Sequence, residues 1–282
     1  MRALRPLNLL VVAALQLFTY YFLTIDTAQR NIVDPRLWFM VLASVLLTAA
    51  GYIFNDYCDT KADEINRPNR LGLHQRSITL FWLTYVVFTL MSLFLAWLVS
   101  TELLLIYIGL TGILVGYSLW LKSLPVIGNV VVSAIAGLSV YLIYRVFQIQ
   151  YYPLVVFYAA FAAIITYIRE MAKDLEDYSG DKAAGYATSA IVMGIRGARL
   201  LIVYVTVFAL VSLIQIAVQW FIPQFQEPLK WIVAVYYGLC MIAPLIWVLV
   251  KAYKSTSQDD FAQLSAVLKY VMITGVLSML FF

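Results

Sequence analysis

The sequence predicts an all-α, polytopic membrane protein with about nine transmembrane helices around a central cavity. Hydrophobic residues make up 63% of the 282 residues and charged residues only 12%, whereas a soluble domain carries about twice that share of charge. The apolar stretches have the length that a helix needs to cross a hydrocarbon core of about 30 Å. Strands of a membrane barrel would be about ten residues long with strict alternation. A helical bundle is therefore the predicted fold.

Nine apolar stretches are predicted to approach or cross the membrane. In chain order they are Leu9–Thr24, Trp38–Phe54, Ile78–Ser100, Leu103–Leu121, Val126–Tyr144, Pro153–Tyr167, Leu200–Ile222, Trp231–Val250 and Leu264–Phe282. The first follows Arg2 and Arg5 as in a signal peptide, but no small-x-small cleavage site follows, so we predict a retained helix. The sixth is among the shortest. Only the second and sixth stretches are followed by long connections, 55–77 and 169–199.

The basic residues set the predicted orientation. With the amino terminus in the cytoplasm, fourteen of the nineteen basic residues lie on the cytoplasmic side, and the opposite connections carry only Arg30, Arg36, Arg145 and Lys230. The positive-inside rule favours this arrangement. We predict a multi-pass protein of the cell (plasma or inner) membrane, with the amino terminus and both long connections cytoplasmic. The net charge of +4 then attracts anionic lipids or substrates, and we expect no nucleic acid and no obligate protein partner.

Two acidic clusters with the same spacing stand at the starts of the long connections. They consist of Asp56, Asp59 and Asp63, and of Asp174, Asp177 and Asp181. On a continuous helix, offsets of three and seven residues place the three carboxylates of each cluster on one face. A lone acidic residue there is commonly a helix cap or part of a solvated loop. Two matched triads of like charge instead favour a bound divalent cation as the counter-charge.

The repeated spacing also bears on domain organisation. No linker or low-complexity segment separates soluble domains, so residues 1–282 are predicted to form one membrane domain. The two clusters follow the second and sixth stretches, which suggests an internal duplication of about 9–121 and 126–250 with a last helix at 264–282. Chance spacing is the alternative to duplication.

The residues around the two clusters form longer motifs. From Asn55 the chain reads N-D-x-x-D-x-x-x-D-x-x-N-R-P, and from Lys173 it reads K-D-x-x-D-x-x-G-D-x-x-x-G. As a pair these motifs resemble the UbiA superfamily of intramembrane prenyltransferases, and the segment 117–129 is similar to further motifs of that family. The likeness covers nearly the whole chain. After Pro68 the sequence departs from the commoner pattern, which leaves the conformation of the first connection open.

The resemblance implies a reaction and a cofactor. Members of this family transfer a prenyl group from a prenyl diphosphate to an acceptor, with Mg²⁺ bridging the diphosphate to both acidic clusters. The chemistry suits the residues, because diphosphate leaves readily only when its charge is neutralised, and aromatic faces stabilise an allylic cation. The six aspartates are the implied catalytic residues. The implied metal ligands are Asn55, Asp56, Asp59, Asp63, Asp174, Asp177 and Asp181.

Some polar side chains are expected to hold the diphosphate oxygens directly. They are Asn55, Arg67, Lys122 and Lys173. Arginine offers a bidentate fork and lysine a point charge. Lys122 could equally anchor the topology of a short connection, and both interpretations stay open. Arg145 lies at the far end of the fifth stretch, where interfacial anchoring is an alternative role, so it is left out of this set and its role stays open.

Three functions remain open on the sequence alone. The form of the second motif resembles the branch of the family that joins a geranylgeranyl group to the hydroxyl of a prenylglycerol phosphate, which is the leading prediction. The second keeps the donor and prenylates an aromatic acceptor of a quinone, homogentisate or tetrapyrrole pathway. The third is a cation transporter, although transporter carboxylates usually lie on broken helices near the bilayer midplane. The expected partners are a prenyl diphosphate donor, a lipid or aromatic acceptor, and membrane lipids.

Overall fold

The computed structural model describes residues 5–23, 31–66, 73–148 and 152–282, and within these ranges all regular structure is helical. Its α-helices are α1 (Pro6–Phe22), α2 (Pro35–Cys58), α3 (Thr60–Asn66), α4 (Leu73–Arg76), α5 (Ile78–Val99), α6 (Thr101–Leu119), α7 (Ile127–Phe147), α8 (Tyr152–Glu176), α9 (Tyr178–Ala184), α10 (Ser189–Ile216), α11 (Leu229–Tyr236), α12 (Ala243–Lys254) and α13 (Gln258–Leu277). The predicted all-α fold is confirmed.

Eight helical segments of the described residues are long and apolar enough to cross a membrane. They are α2, α5, α6, α7, α8, α10 with its continuation to Gln224, α11 joined to α12, and α13 with its continuation to Phe281. The remaining predicted stretch, the first in chain order, corresponds to α1, which is apolar but shorter, at 17 residues. Each of the nine apolar stretches therefore corresponds to a helical segment of a multi-pass membrane protein.

The two predicted long connections are largely helical. The apolar stretches end at Phe54 and Tyr167, but α2 continues to Cys58 and α8 to Glu176. In α8 this extension is amphipathic, because its apolar side chains Ile168, Met171, Ala172 and Leu175 are buried in the bundle, while the polar side chains between them face the cavity described below. Hydropathy alone places the end of the helix where one face becomes polar.

Helix α8 is central to the bundle and packs against α7, α10 and α13, while α1 packs between α2 and α7. Close packing of α7 on α8 depends on Gly137, where an added Cβ would lie 2.8 Å from the carbonyl oxygen of Ala159. Small residues at such crossings let membrane helices approach closely. On the outer helices α5 and α6, apolar side chains such as Leu90 and Leu105 are more than 60% exposed, as a lipid-facing surface requires.

Candidate active site

Both acidic clusters span a helix break at their middle aspartate. Helix α2 ends at Cys58 and α3 begins at Thr60, so Asp59 lies between them with φ −88° and ψ 7°. Asp177 separates α8 from α9 with nearly the same backbone angles, φ −90° and ψ 7°. The expectation that each triad lies on one face of one continuous helix is therefore wrong. The offsets of three and seven residues could not reveal a break that keeps its helical hydrogen bonds.

Helical hydrogen bonds continue across each break. The amide of Asp59 donates to the carbonyl of Asn55 over 2.9 Å, and the amide of Asp63 donates to the carbonyl of Asp59 over 2.8 Å. The second cluster repeats these bonds at 2.8 and 3.1 Å. The third aspartate of each triad therefore belongs to a separate short helix, α3 or α9.

The short helices α3 and α9 dock directly on each other. The amide of Gly180 donates to Asn66 Oδ1 over 2.9 Å, and Asn66 Nδ2 donates to the carbonyl of Asp177 over 3.0 Å. A Cβ at Gly180 would lie 2.5 Å from the carbonyl oxygen of Ala62. The residue offset between the two clusters maps α3 onto α9 and Ala62 onto Gly180, so equivalent positions meet. The duplication itself stays a prediction.

A cavity of about 270 Å³ begins at this junction. Helices α1, α2, α6, α7, α8 and α13 contribute to its wall. Its polar end includes predicted site residues from both halves of the chain, namely Asn55, Asp59, Lys122, Lys173, Asp174, Asp177 and Asp181. Side chains separated by more than 100 residues in sequence thus border one space.

Asp59 is the best connected carboxylate of the cavity. Its Oδ1 pairs with Lys122 Nζ and accepts a hydrogen bond from the Tyr186 hydroxyl at 3.2 Å, while Oδ2 accepts from Asn55 Nδ2 at 2.5 Å. Burial and the nearby Asp59 raise the pKa of Tyr186 well above its usual range, so its hydroxyl stays protonated and donates. The side chain of Lys122 is only 9% exposed and lies 4.9 Å from the Tyr186 ring centroid. The structure therefore locates Lys122 in the cavity.

The second cluster is fixed by a chain of hydrogen bonds from α7. Asn129 Nδ2 donates to Asp174 Oδ2 over 2.9 Å, and Ser189 Oγ donates to Asn129 Oδ1 over 2.9 Å. The backbone amide of Val126 completes the chain by donating to Ser189 Oγ. Asn129 belongs to the segment that resembles the family, but only the fold shows that it orients Asp174.

Carboxylates crowd the polar end of the cavity. Burial, followed by the charges of Asp177 and Asp59, raises the pKa of Asp181 to about 7. Lys173 Nζ lies 4.0 Å from Asp177 Oδ2 and supplies part of the counter-charge. Neighbouring carboxylates favour a proton or a cation between them.

Three predicted residues stand apart from this group. Asp56 is 5% exposed and its Oδ1 lies 3.2 Å from Arg5 Nη2, and neither Asp56 nor Asp63 lines the cavity. Arg67 lies outside the described residues. Arg5 itself lines the cavity, whereas the sequence indicated only its part in the membrane orientation. Its partner Asp56 lies 51 residues away in sequence, so no local pattern could reveal the contact.

Two further basic side chains line the cavity, Arg169 on α8 and Lys269 on α13. Arg169 pairs with Glu170 at 2.7 Å, and both side chains are 15% exposed. Lys269 was not singled out in the sequence, although it lies within the apolar stretch 264–282. A single charge inside a membrane-spanning segment is a signal of function that could have identified it.

The carboxylates of the cavity suit magnesium that is also bound by substrate phosphates. Among the residues that the structure describes, no three His, Cys, Asp or Glu side chains converge to hold an ion by themselves. Mg²⁺ is usually bound by one or two carboxylates together with waters and substrate phosphates, rather than by a cage made only of protein. The carboxylates of Asp59, Asp174, Asp177 and Asp181 border the same cavity. They fit a metal that binds together with a diphosphate.

The opposite end of the bundle carries a different ion pair. Arg145, in the last turn of α7, lies 3.1 Å from Glu102 in the first turn of α6. Both side chains are more than half exposed, and neither lines the cavity. Arg145 therefore lies apart from the predicted diphosphate site.

Known proteins match both the sequence and the fold. Residues 12–268 match the UbiA prenyltransferase family. A digeranylgeranylglyceryl phosphate synthase from Methanoregula boonei is 35% identical over 219 residues, which cover 74% of this chain and 73% of that protein. The synthase of the same name from Thermococcus sibiricus is 30% identical and matches 68% of this chain and 67% of its own length.

Solved structures share the architecture over nearly the whole chain. The apo structure of a UbiA homologue from Aeropyrum pernix K1 has a TM-score of 0.71 at 16% identity and covers 96% of both chains. A UbiA homologue from Archaeoglobus fulgidus, bound to GPP and Mg²⁺, has a TM-score of 0.60 at 15% identity and covers 99% of this chain and 98% of its own. At these identities the likeness concerns the fold.

Proposed function

The chain belongs to the UbiA prenyltransferase family, and from that membership we propose that it joins a geranylgeranyl-like group to the hydroxyl of a prenylglycerol phosphate. The donor is a prenyl diphosphate, and the leaving group is diphosphate. The reaction takes place in a membrane with Mg²⁺ as cofactor. The predicted family and the predicted class of enzyme are both confirmed.

One observation carries the proposal. Asp59, Asp174, Asp177 and Asp181 border the polar end of the cavity together with Lys122 and Lys173, and its other walls are mainly apolar. They come from the break after α2, from α8 and α9 with the break between them, and from the connection after α6. A prenyl diphosphate has the same division into a charged head and an apolar tail. The cavity therefore suits the whole donor.

The residues of the cavity have separable roles in this proposal. Lys122 and Lys173 bind the diphosphate oxygens as point charges, and Asn55 orients Asp59 by its hydrogen bond. Bound Mg²⁺ would neutralise the leaving diphosphate, held by Asp59 and Asp177 with their neighbours Asp174 and Asp181. We assign Asp56, whose Oδ1 lies 3.2 Å from Arg5 Nη2, to positioning Arg5 and not to holding the metal.

The apolar wall controls what happens after the carbon–oxygen bond to diphosphate weakens. Water would capture an allylic cation, so the walls must exclude it. Tyr52 and Tyr117 line the cavity, and we assign their rings to stabilising the cation. The acceptor hydroxyl attacks the first carbon of the prenyl group and loses its proton to a carboxylate or to the released diphosphate.

Two features favour a phosphate-bearing acceptor over an aromatic one. Both relatives described above are named for a glycerol phosphate lipid. In addition, Arg5, Arg169 and Lys269 line the cavity, which gives it more basic side chains than one diphosphate requires. We assign these three side chains to the acceptor phosphate, which would compete with Asp56 for Arg5 and with Glu170 for Arg169.

A panel of acceptors tests the proposal. Purified protein in detergent or nanodiscs is mixed with Mg²⁺ and labelled geranylgeranyl diphosphate, and geranylgeranylglyceryl phosphate, 4-hydroxybenzoate or homogentisate is added. We expect diphosphate release and a two-chain ether lipid only with the glycerol phosphate. Transfer to a ring alone would replace the acceptor, and the absence of donor turnover with every acceptor would contradict prenyl transfer.

The membrane orientation is part of the same proposal. The chain is a multi-pass membrane protein, and we propose that the junction of α3 with α9 faces the cytoplasm. The support is the basic character of that side, in keeping with the positive-inside rule. Water-soluble diphosphate would then leave on the cytoplasmic side.

A further inference from the structure

A hydrogen-bonded triad lies at the end of the cavity away from the aspartates. Gln16 on α1, Ser44 on α2 and Tyr107 on α6 are all buried, with exposures of 0%, 8% and 1%. Gln16 Nε2 donates to Ser44 Oγ over 2.8 Å, and the hydroxyls of Ser44 and Tyr107 are 2.5 Å apart. Gln16 Nε2 also lies 3.3 Å from the carbonyl of Ser139 on α7. The triad thus links three helices and contacts a fourth.

On α1, α2 and α6 the triad coincides with the end of the lining, whereas on α7 the lining continues from Ser139 to Leu142. Gln16 is the last cavity residue on α1, counted from Arg5, and Ser44 and Tyr107 are the most distant ones on α2 and α6, counted from Asp59 and Lys122. Between the triad and the polar end the wall is mainly aliphatic and includes Val12, Leu47, Leu110, Leu114 and Ile135. The triad therefore forms a polar floor across three of the helices that line an apolar channel.

We propose that the triad of Gln16, Ser44 and Tyr107 sets the longest prenyl tail that the donor can carry. This inference rests on the proposed prenyl transfer and adds the residues that select the donor. Ser44 precedes Asn55 by eleven residues of α2, which is about 16 Å of helix, and Asp59 lies about one turn further. An extended chain gains roughly 5 Å per four-bond isoprenoid unit. Four units, or twenty carbons, therefore fill the channel.

The hydrogen bonds of the triad oppose the entry of prenyl tails longer than the channel. An aliphatic side chain at the end of a channel can turn aside for an extra apolar unit at little cost. Displacement of Tyr107 or Ser44 instead breaks a buried hydrogen bond, and an isoprenoid tail offers no donor or acceptor to replace it. The floor thus acts against longer tails as well as contacting the correct one.

Tyr107→Ala tests the floor by removing it. The rate constant kcat/KM is measured for C15, C20 and C25 diphosphates with one acceptor, in wild type and in the variant. We expect the C25-to-C20 ratio of kcat/KM to rise at least tenfold. The matched control is Ile108→Ala, which truncates the next residue of the same helix on its 49% exposed outer face and should leave the ratio unchanged.

Gly51→Leu tests the same channel in the opposite direction. Gly51 lines the cavity one turn from Asn55 towards the triad. An added Cβ would meet the Leu114 side chain at an ordinary 3.4 Å, so the further atoms of leucine must occupy cavity space beside Leu114. The larger side chain should shorten the channel and lower C20 use at least tenfold relative to C10. This experiment tests the length of the channel while the triad stays intact.

A binding measurement separates this inference from the proposed function. Thermal stabilisation of each variant by unreactive C15, C20 and C25 thiolodiphosphates should follow the same length preferences as turnover. Wild type that turns over no donor would contradict the proposed function, whereas the analogues would still report the channel length. An unchanged length preference in folded Tyr107→Ala and Gly51→Leu proteins would overturn the floor. A length effect that follows the acceptor tail and not the donor would do so as well.

Discussion

Replacement of Gly180 by alanine should separate the two acidic clusters. The new Cβ would lie 2.4 Å from Asn66 Nδ2 and 2.5 Å from the carbonyl oxygen of Ala62, whereas ordinary contacts begin near 3.4 Å. Helix α9 must therefore move away from α3 by about 1 Å, since ordinary carbon contacts need about 3.5 Å. That displacement breaks the hydrogen bonds of Asn66 to Gly180 and to Asp177.

The magnitude follows from these contacts. Overpacking costs about 1–3 kcal/mol, and the two hydrogen bonds contribute about 1 kcal/mol each. The higher helix propensity of alanine compared with glycine offsets about 1 kcal/mol of this loss in stability. The docking of α3 on α9 should thus weaken by about 2–4 kcal/mol. Because Asp177 and Asp181 flank the substituted position, a misplacement of about 1 Å should lower turnover about a hundredfold.

The assay measures initial rates of prenyl transfer together with thermal inactivation in the same detergent. Gly112→Ala on α6 is the control, since an added Cβ there has no described atom within 4 Å, and it should behave as wild type. Gly180→Ala protein with wild-type turnover and stability would refute the role of this contact. Lost turnover without any change in α3–α9 protection from hydrogen exchange would also refute it.

Three other perturbations test the site. Lys122→Gln should lower kcat/KM for the donor about ten- to a hundredfold, because a charge-assisted contact contributes about 1.5–3 kcal/mol. The control Lys182→Gln, at an exposed position, should have little effect. Equal kcat/KM in both variants would show that Lys122 does not bind the diphosphate. Removal of Mg²⁺ by a chelator should stop donor consumption and its return should restore it, and full activity in metal-free buffer would contradict the proposed cofactor. Single cysteines at Glu64 and Ala183, in a background without native cysteines, should both react with an impermeant reagent from the cytoplasmic side, and opposite accessibility would contradict the orientation.

Much of the fold could be predicted because a bilayer imposes simple rules on sequence. Apolar length alone located all nine segments. The pair of motifs led to the carboxylates, and the segment 117–129 that resembles the family led to Lys122 as a candidate, before their proximity was known. Hydropathy failed where helices leave the apolar pattern but continue. In α8 the stretch 168–176 carries charges on one face and buried Met171 and Leu175 on the other, so it looks polar on average while it remains helical.

The geometry of the site was less accessible to sequence reasoning. Spacing that fits one helical face fits equally well with a break at Asp59, because the break preserves the hydrogen bonds of a helix. Contacts such as Arg5 with Asp56, or Tyr186 with Asp59, join residues with no shared local pattern. A single sequence can show which residues carry chemistry, but only the packing of α1, α9 and α10 shows which of them meet.

The lysine–aspartate pairs of the cavity have a consequence for how substrate enters and product leaves. Lys122 pairs with Asp59, and Lys173 lies 4.0 Å from Asp177. On the proposed function, an arriving diphosphate competes with these aspartates for the lysines, and each carboxylate that loses its lysine becomes available to the accompanying cation. Donor and metal therefore enter by an exchange of ionic partners. After the reaction the aspartates can recapture the lysines, which helps to expel the anionic product and returns the protein to a neutralised resting state.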